Sequence, residues 1–264
     1  MALDSTLIRS MPVSGSVGRI AAFWATAGAL TGSVGLSYAL AMDPFFAARA
    51  PMPLPVFVLV QFMEVFVLLA LLSWAGLRLG QAIGLGSPIV RYLAYRTPSF
   101  SIFGNTLAIA VFVGSMVGVV LLLLDKVFQP YMPATLWSAP LVDDFWTRFL
   151  ASFSDTILEE LVCRLFLMTF LVWVWWRFVS SKDSPPSLWL IWTGIIGASL
   201  LFGLGHLPAI AEVWPLTTIV IFRSLLLNAI GGIAFGWLYS HRGFEYAVIA
   251  HLFQDIVLHV IGGR

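Results

Sequence analysis

Long apolar runs dominate this chain and limit it to one kind of architecture. A run of about 20 mostly apolar residues is long enough to cross a bilayer as an α-helix. Runs of this kind recur along the whole sequence, at 17–42, 56–77, 106–124, 145–178, 188–206, 216–239 and 246–261. We therefore predict an all-α, polytopic bundle of about seven transmembrane helices, within a range of about six to eight.

Composition supports a membrane protein and excludes some partners. The chain is 60% hydrophobic and 10% charged, with a mean hydropathy of +0.95, which excludes an ordinary soluble domain. The net charge of +1, without a dense basic cluster, gives no indication of a nucleic-acid partner. We expect a polar tail at 1–16 and a single integral membrane domain at 17–264, in contact with the lipid bilayer. The sequence does not indicate an oligomeric state.

Basic residues between the runs predict an orientation. With the N-terminus in the cytoplasm, more arginine and lysine residues lie inside than outside, as the positive-inside rule requires. We accordingly expect a protein of a bacterial inner membrane. The first run ends in Ala39-Leu40-Ala41, which resembles a signal-peptidase site, so a cleaved signal peptide is the alternative. The run is longer than the usual apolar region of such peptides.

Ionisable residues inside the apolar runs need a reason, because a charge near the bilayer centre costs at least about 2.5–3.5 kcal/mol. The fourth run contains Glu159, Glu160 and Arg164. Glu160 and Arg164 are four residues apart, so they share a helix face and can pair, whereas Glu159 is rotated from Glu160 by about 100°. We therefore predict a structural role for Glu160 and a reactive role for Glu159.

Two later runs supply further chemical groups. His206 ends the fifth run four residues after Phe202, and His251 and Asp255 share one face of the seventh. If these helices meet the fourth, they can surround one buried point with Glu159, where a water is held and deprotonated. A His–carboxylate pair also suits stabilisation of developing negative charge or metal binding.

A catalytic metal is left open by these residues. Glu159, His206, His251 and Asp255 offer ligands that a divalent ion such as Zn²⁺ accepts, but the sequence has no HExxH motif. We expect either no required cofactor or a divalent metal on these four residues. The single cysteine, Cys163, excludes a paired-cysteine zinc site and is expected to be a small core residue.

Glu64 in the second run and Arg223 in the sixth are also charged, and both lie well inside their runs. An ion pair between these two residues would neutralise both inside the bilayer. We expect this structural pair to join the second and sixth helices.

The three motifs together resemble a known family. They are Glu159-Glu160 with Arg164, Phe202 with His206, and His251 with Asp255. Their order and apolar context resemble the CAAX prenyl protease and bacteriocin-processing family, also called CPBP or Abi. Residues 231–239 also resemble the helix before that family's last motif. The resemblance covers roughly 155–260, which implies a catalytic core at about 145–264 formed by the fourth to seventh spans.

This resemblance implies an intramembrane endopeptidase of the glutamic type that hydrolyses a peptide bond in a membrane-associated protein or peptide. Glu159 would be the general base, and His206 would position the water. Glu160, Arg164 and Phe202 would support this geometry.

The resemblance also assigns His251 and Asp255 to stabilisation of the tetrahedral oxyanion. Asp255 is a departure, since Asn is common at this position in the family. An ionised Asp cannot donate a hydrogen bond to an oxyanion. Asp255 must therefore be protonated, salt-bridged, oriented through His251 or bound to a metal.

Two other classes of protein fit part of the pattern. A proton-coupled transporter uses buried Glu, His and Asp as a proton relay, but it predicts an inverted repeat, which the sequence does not show. A non-catalytic membrane scaffold or immunity protein with the same fold predicts that loss of the carboxylates is tolerated. Substitution of Glu159 distinguishes these alternatives.

Overall fold

The structure is a computed structural model, and all regular secondary structure in its described part is helical. The described residues are 16–42, 49–95, 103–136, 145–180 and 184–262, and every regular element among them is helical. The predicted all-α class is therefore confirmed. The predicted tail at 1–16 lies outside the described residues, apart from Ser16, where the first helix begins.

The helices fall close to the predicted apolar runs. In chain order they are α1 (Ser16–Met42), α2 (Leu54–Ile83), α3 (Pro88–Tyr95), α4 (Phe103–Phe128), α5 (Phe145–Ser154), α6 (Thr156–Glu160), α7 (Thr169–Val179), α8 (Leu188–Gly205), α9 (Leu207–Val213), α10 (Thr218–Arg242) and α11 (Phe244–Asp255). Two π-helical segments continue α6 and α11, namely π1 (Leu161–Met168) and π2 (Ile256–Ile261).

Five helices in the described part of the chain are long and apolar enough to cross a membrane. They are Leu54–Ile83, Asn105–Tyr131, Leu188–Val213, Thr218–Arg242 and Phe244–Ile261, which match the second, third, fifth, sixth and seventh predicted runs. The first run corresponds to α1, and the fourth to the interrupted helix α5–α6–π1–α7. Large apolar side chains such as Leu71, Phe112 and Phe222 are more than half exposed on the outer faces. Such a surface suits contact with lipid.

Two glycines let the helices that carry the acidic motifs pack backbone to backbone. Gly76 of α2 lies against the carbonyl of Leu165 in π1, and Gly114 of α4 lies against the carbonyl of Ala250 in α11. A Cβ at either glycine would collide with that backbone. Small residues at crossings are how membrane helices approach closely. These crossings fix π1 and α11 against the scaffold helices α2 and α4.

A buried polar link ties the first helix to the start of α11. Trp24 Nε1 donates to Ser87 Oγ at 2.9 Å, and Ser87 Oγ donates to Glu245 Oε1 at 2.6 Å. The same carboxylate oxygen accepts the backbone N–H of Val90 at 2.8 Å. Hydrogen-bonded partners of this kind are what a buried carboxylate requires. The link anchors the end of α11 opposite Asp255.

The predicted ion pair between Glu64 and Arg223 is wrong. Arg223 of α10 donates instead to Asp125 of α4, with its Nε 2.6 Å from Asp125 Oδ1, and Glu64 lies exposed on α2. The reason is that α4 continues to Phe128, past the predicted end of the third run, and packs against α10. Asp125 therefore lies within a helix and not in the following loop.

Candidate active site

The two adjacent glutamates sit where the helix changes its geometry. Glu160 ends α6, and π1 begins at the next residue, Leu161. π-Helical turns are rare and occur frequently at functional sites. The change of register starts directly after the pair, so the glutamates and the rest of the fourth run do not share one regular helical repeat.

Glu160 is fully buried and has two partners. Its Oε1 lies 2.9 Å from Arg164 Nη1 and 2.8 Å from His251 Nδ1. The Arg164 guanidinium lies over the rings of Phe202 and Phe235, at 5.1 and 5.6 Å from their centres. The predicted Glu160–Arg164 pair is confirmed. The bond from His251 was not predicted, and it ties α11 to the end of α6.

Glu159 points away from this pair and lies between two histidines. Its Oε1 is 3.4 Å from His206 Nε2, and its Oε2 is 3.6 Å from His251 Nε2. Its side chain keeps 22% of its surface, compared with 0% for Glu160. Both distances lie at or just beyond the outer limit of a direct hydrogen bond. Glu159 is thus the more accessible carboxylate of the two.

His206 follows the last residue of α8 and is oriented by its own helix. Its Nδ1 lies 2.9 Å from the Phe202 carbonyl oxygen, and the Phe202 ring meets the imidazole edge-on with centres 4.4 Å apart. A carbonyl oxygen only accepts, so Nδ1 is the donor in this bond. His206 therefore directs Nε2 towards Glu159, and Phe202 holds the imidazole in that orientation.

His251 and Asp255 lie together on α11, as their spacing predicted. His251 Nε2 is 3.6 Å from Asp255 Oδ2, and the His251 ring stacks on Phe235 with centres 4.9 Å apart. Asp255 Oδ2 is also 2.8 Å from the hydroxyl of Thr156. Sequence reasoning missed Thr156, although it lies three residues before Glu159 and thus on a neighbouring face of α6.

One cavity of about 360 Å³ collects these groups. The predicted residues Glu159, Phe202, His206, His251 and Asp255 all line it. Its wall also holds polar residues that the sequence reasoning did not place at the site, namely Asp125, Asp155, Arg223, Ser224, Asn228, Gln254 and His259. The structure thus brings together residues from α4, α6, α8, α10, α11 and π2.

No group of three His, Cys, Asp or Glu side chains among the described residues is arranged as a set of metal ligands. The Nδ1 atoms of His206 and His251 are held by the Phe202 carbonyl and by Glu160, so each ring directs Nε2 towards Glu159, as the rings of metal-binding histidines are also held. A divalent metal on Glu159, His206, His251 and Asp255 stays a prediction. Cys163 is buried, as expected for a core residue.

These features define a helical membrane protein with a polar site enclosed between its helices. Residues 141–257 match the model of the family described as type II CAAX prenyl endopeptidase Rce1-like, which corresponds to the CPBP/CAAX protease family. The resemblance carried by the three motifs is therefore confirmed. The family indicates a protease, and with the five candidate spans it identifies an integral membrane protein. Comparisons with curated proteins and with solved structures found no match.

Proposed function

We propose that this chain is an intramembrane endopeptidase that hydrolyses a peptide bond in a membrane-associated protein or peptide. The observation that carries this proposal is the Glu159 carboxylate, which lies within 3.4 Å of His206 and 3.6 Å of His251 at a cavity wall. The match of 141–257 to a family of endopeptidases supports the same reaction. We propose further that residues 17–264 form a single integral membrane domain that carries this activity.

In the first step, Glu159 and His206 hold a water at the cavity wall. Glu159 accepts one proton of the water, and the water oxygen attacks the carbonyl carbon of the peptide bond. His206 suits this role because its Nδ1 donates to the Phe202 carbonyl, which leaves Nε2 to accept from the water. Fixed orientation of both groups lowers the entropic part of the barrier.

In the tetrahedral intermediate, negative charge develops on the former carbonyl oxygen. We assign its stabilisation to His251, with Asp255 as the neighbouring group that orients the ring. Nδ1 of His251 donates a hydrogen bond to Glu160, and Arg164 balances the charge of Glu160. In its imidazolium form His251 also carries a proton on Nε2, and this N–H faces the oxyanion.

In the last step, the carbon–nitrogen bond breaks and Glu159 returns its proton to the leaving amine. The hydroxyl of the water remains on the new carboxyl group, so the overall reaction consumes one water and one peptide bond. Glu159 acts first as a base and then as an acid, which a single accessible carboxylate can do. Proteins with an apolar segment are the substrates that best suit a site enclosed by lipid-facing helices.

Substitution of Glu159 by Gln tests the proposal, because it removes the base and keeps the size of the side chain. We expect cleavage by the detergent-purified protein to fall at least about 10²- to 10⁴-fold. Thermal unfolding should change little, since Glu159 is not part of the Glu160–Arg164 pair. Quantitative proteomics of membranes with the wild type or the variant would identify substrates as precursors that accumulate uncleaved.

The matched control is Glu64→Gln, which removes an exposed carboxylate from α2 outside the cavity. This control should cleave like the wild type. Undiminished cleavage by the Glu159→Gln protein would exclude Glu159 as the base. Absence of cleavage by the wild type and by both variants would favour a scaffold or a transporter over an enzyme.

A further inference from the structure

Two buried hydroxyl groups lie behind the site, and the proposed hydrolysis does not use them. Thr169, the first residue of α7, and Tyr239 of α10 are both fully buried, with their oxygens 2.8 Å apart. The Thr169 hydroxyl also lies 3.1 Å from the carbonyl oxygen of Arg164 in π1. Buried hydroxyls are normally hydrogen-bonded, and here the last partner is the main chain of the residue that pairs with Glu160.

The direction of these hydrogen bonds follows from the groups involved. A carbonyl oxygen only accepts, so the single hydroxyl proton of Thr169 goes to Arg164. The Thr169 oxygen then accepts from the Tyr239 O–H. Tyr239 thereby orients the Thr169 hydroxyl towards the main chain of π1.

The spacing of the bond between Thr169 and Arg164 fits the π-helical turn. In an α-helix, a Thr hydroxyl normally reaches the carbonyl three or four residues before it. Thr169 reaches five residues back, which is also the spacing of π-helical hydrogen bonds. The carbonyl four residues back, that of Leu165, lies against Gly76 of α2. Two successive carbonyls of π1 are thus held from different sides, one by α2 and one by α10 through Thr169.

Helix α10 contacts Arg164 at both its main chain and its side chain. Phe235 and Tyr239 are four residues apart, so they share one face of α10. The Phe235 ring lies 5.6 Å from the Arg164 guanidinium and stacks on the ring of His251. Arg164 in turn lies 2.9 Å from Glu160 Oε1, which is 2.8 Å from His251 Nδ1. A continuous series of contacts therefore connects Tyr239 to the imidazole assigned to the oxyanion.

We propose that Thr169 and Tyr239 are positioning residues, which hold the main chain of Arg164 in π1. Through Arg164 they set the positions of Glu160 and His251 at the site. Their effect on cleavage rests on the hydrolysis proposed above. Neither residue lines the cavity, so removing either hydroxyl should slow the chemical step and leave substrate binding unchanged.

NMR of nitrogen-labelled histidine, recorded on the detergent-purified protein, tests the pair without any substrate. The signals of His251 are assigned by their absence from a His251→Asn protein. We expect Thr169→Val and Tyr239→Phe to shift the Nδ1 signal of His251, because its bond to Glu160 changes when Arg164 moves. Thr169→Ser keeps the hydroxyl and should restore the wild-type signal.

Cleavage is the second measurement, with a peptide copied from a precursor that accumulates in the proteomic comparison above. We expect kcat to fall about tenfold in Thr169→Val and in Tyr239→Phe, with KM unchanged. Thr169→Ser should cleave like the wild type. Thr193→Val is the matched control, because the Thr193 hydroxyl donates to the Leu190 carbonyl at 2.8 Å within α8 and does not line the cavity. It should change neither kcat nor the His251 signal.

An unchanged His251 signal in the folded variants would overturn the proposal, and so would an equal shift in Thr169→Ser. Thermal unfolding shows which variants are folded. If Thr169→Val unfolds, Tyr239→Phe decides, because it keeps the ring and leaves the Thr169–Arg164 bond in place. Unfolding of both would also overturn the proposal, since the pair would then only stabilise the fold. Failure of the proposed hydrolysis is seen separately, because the wild type then cleaves nothing while the pattern of NMR shifts persists.

Discussion

Two neighbouring carboxylates have opposite surroundings in this site. Glu160 is sealed from the cavity and shares one oxygen between Arg164 and His251, at 2.9 and 2.8 Å. Glu159 makes no contact as short as these with the two histidines beside it. A carboxylate held by two short contacts stabilises a fold, whereas one with longer contacts is free to accept a proton. Adjacent residues of one type therefore perform different tasks.

Loss of Glu160 should unfold the protein more readily than loss of Glu159. Glu160→Ala leaves the Arg164 guanidinium, which is 2% exposed, without its partner, and His251 loses its orienting bond. Removing one member of a buried pair costs about 3–5 kcal/mol. Chemical unfolding in detergent should show this decrease in the free energy of unfolding, together with a loss of cleavage.

The comparison variant for this measurement is Glu159→Gln, which should lose cleavage with little change in unfolding. Equal stability of Glu160→Ala and the wild type would contradict the structural role of Glu160.

At the scale of the helices, the interrupted fourth run depends on its crossing with α2. Gly76 lets the α2 backbone touch the carbonyl of Leu165, next to Arg164 in π1. π-Helical turns are rare in proteins, so we expect the neighbours of π1 to hold it in this geometry. The crossing at Gly76 thereby links the position of α2 to that of Arg164 in the Glu160–Arg164 ion pair.

Gly76→Ala is expected to destabilise the protein by about 1–3 kcal/mol, because the new Cβ would overlap the Leu165 carbonyl. Cleavage should fall as well, since π1 carries Arg164. Thermal unfolding and a cleavage assay on the same preparation measure both effects. Gly18→Ala is the control, because nothing lies within 4 Å of a Cβ at Gly18. Similar behaviour of the two variants would contradict the importance of the crossing.

The apolar runs predicted most of the helices, because burial of a backbone in lipid requires helices at least as long as the bilayer is thick. Periodicity within one helix likewise predicted the Glu160–Arg164 pair. It did not predict the Glu160–His251 bond, the Asp125–Arg223 pair or the Thr156 hydroxyl. These contacts join different helices. They therefore depend on how each helix is rotated and where the helices cross, which the periodicity within one helix does not specify. The π-helical turns were missed for a related reason, since packing and not composition imposes them.

Across the whole molecule, several chain segments meet at one end of the bundle. Arg19 lies over the ring of Tyr95 at 5.8 Å, and the N–H of Phe244 donates to the carbonyl of Gly86 at 3.0 Å. The start of α1, the α2–α3 connection and the α10–α11 turn therefore lie on the same side. Basic residues at these positions favour the cytoplasm in our proposed orientation, with a bacterial inner membrane as the location.

Cysteine labelling in spheroplasts tests this orientation, and the chain suits it because Cys163 is the single cysteine. On a Cys163→Ala background, Thr217→Cys should react with an impermeant maleimide added outside, since it lies at the start of α10. Ser187→Cys, at the other end of α8, should react only after the membrane is opened. The parent Cys163→Ala protein should remain unlabelled. Labelling of Ser187→Cys alone from outside would reverse the orientation.

Both acidic stretches of the site are followed at once by a π-helical segment, Glu160 by π1 and Asp255 by π2. A π-turn closes its hydrogen bonds over one more residue than an α-turn, so it absorbs an extra residue without lengthening the path of the helix. If the same residues of π1 formed a regular α-helix instead, Glu159 would turn by about 100° relative to α7, away from His206. The π-helical geometry between the glutamates and α7 is therefore as much a requirement of the site as the identity of the glutamates.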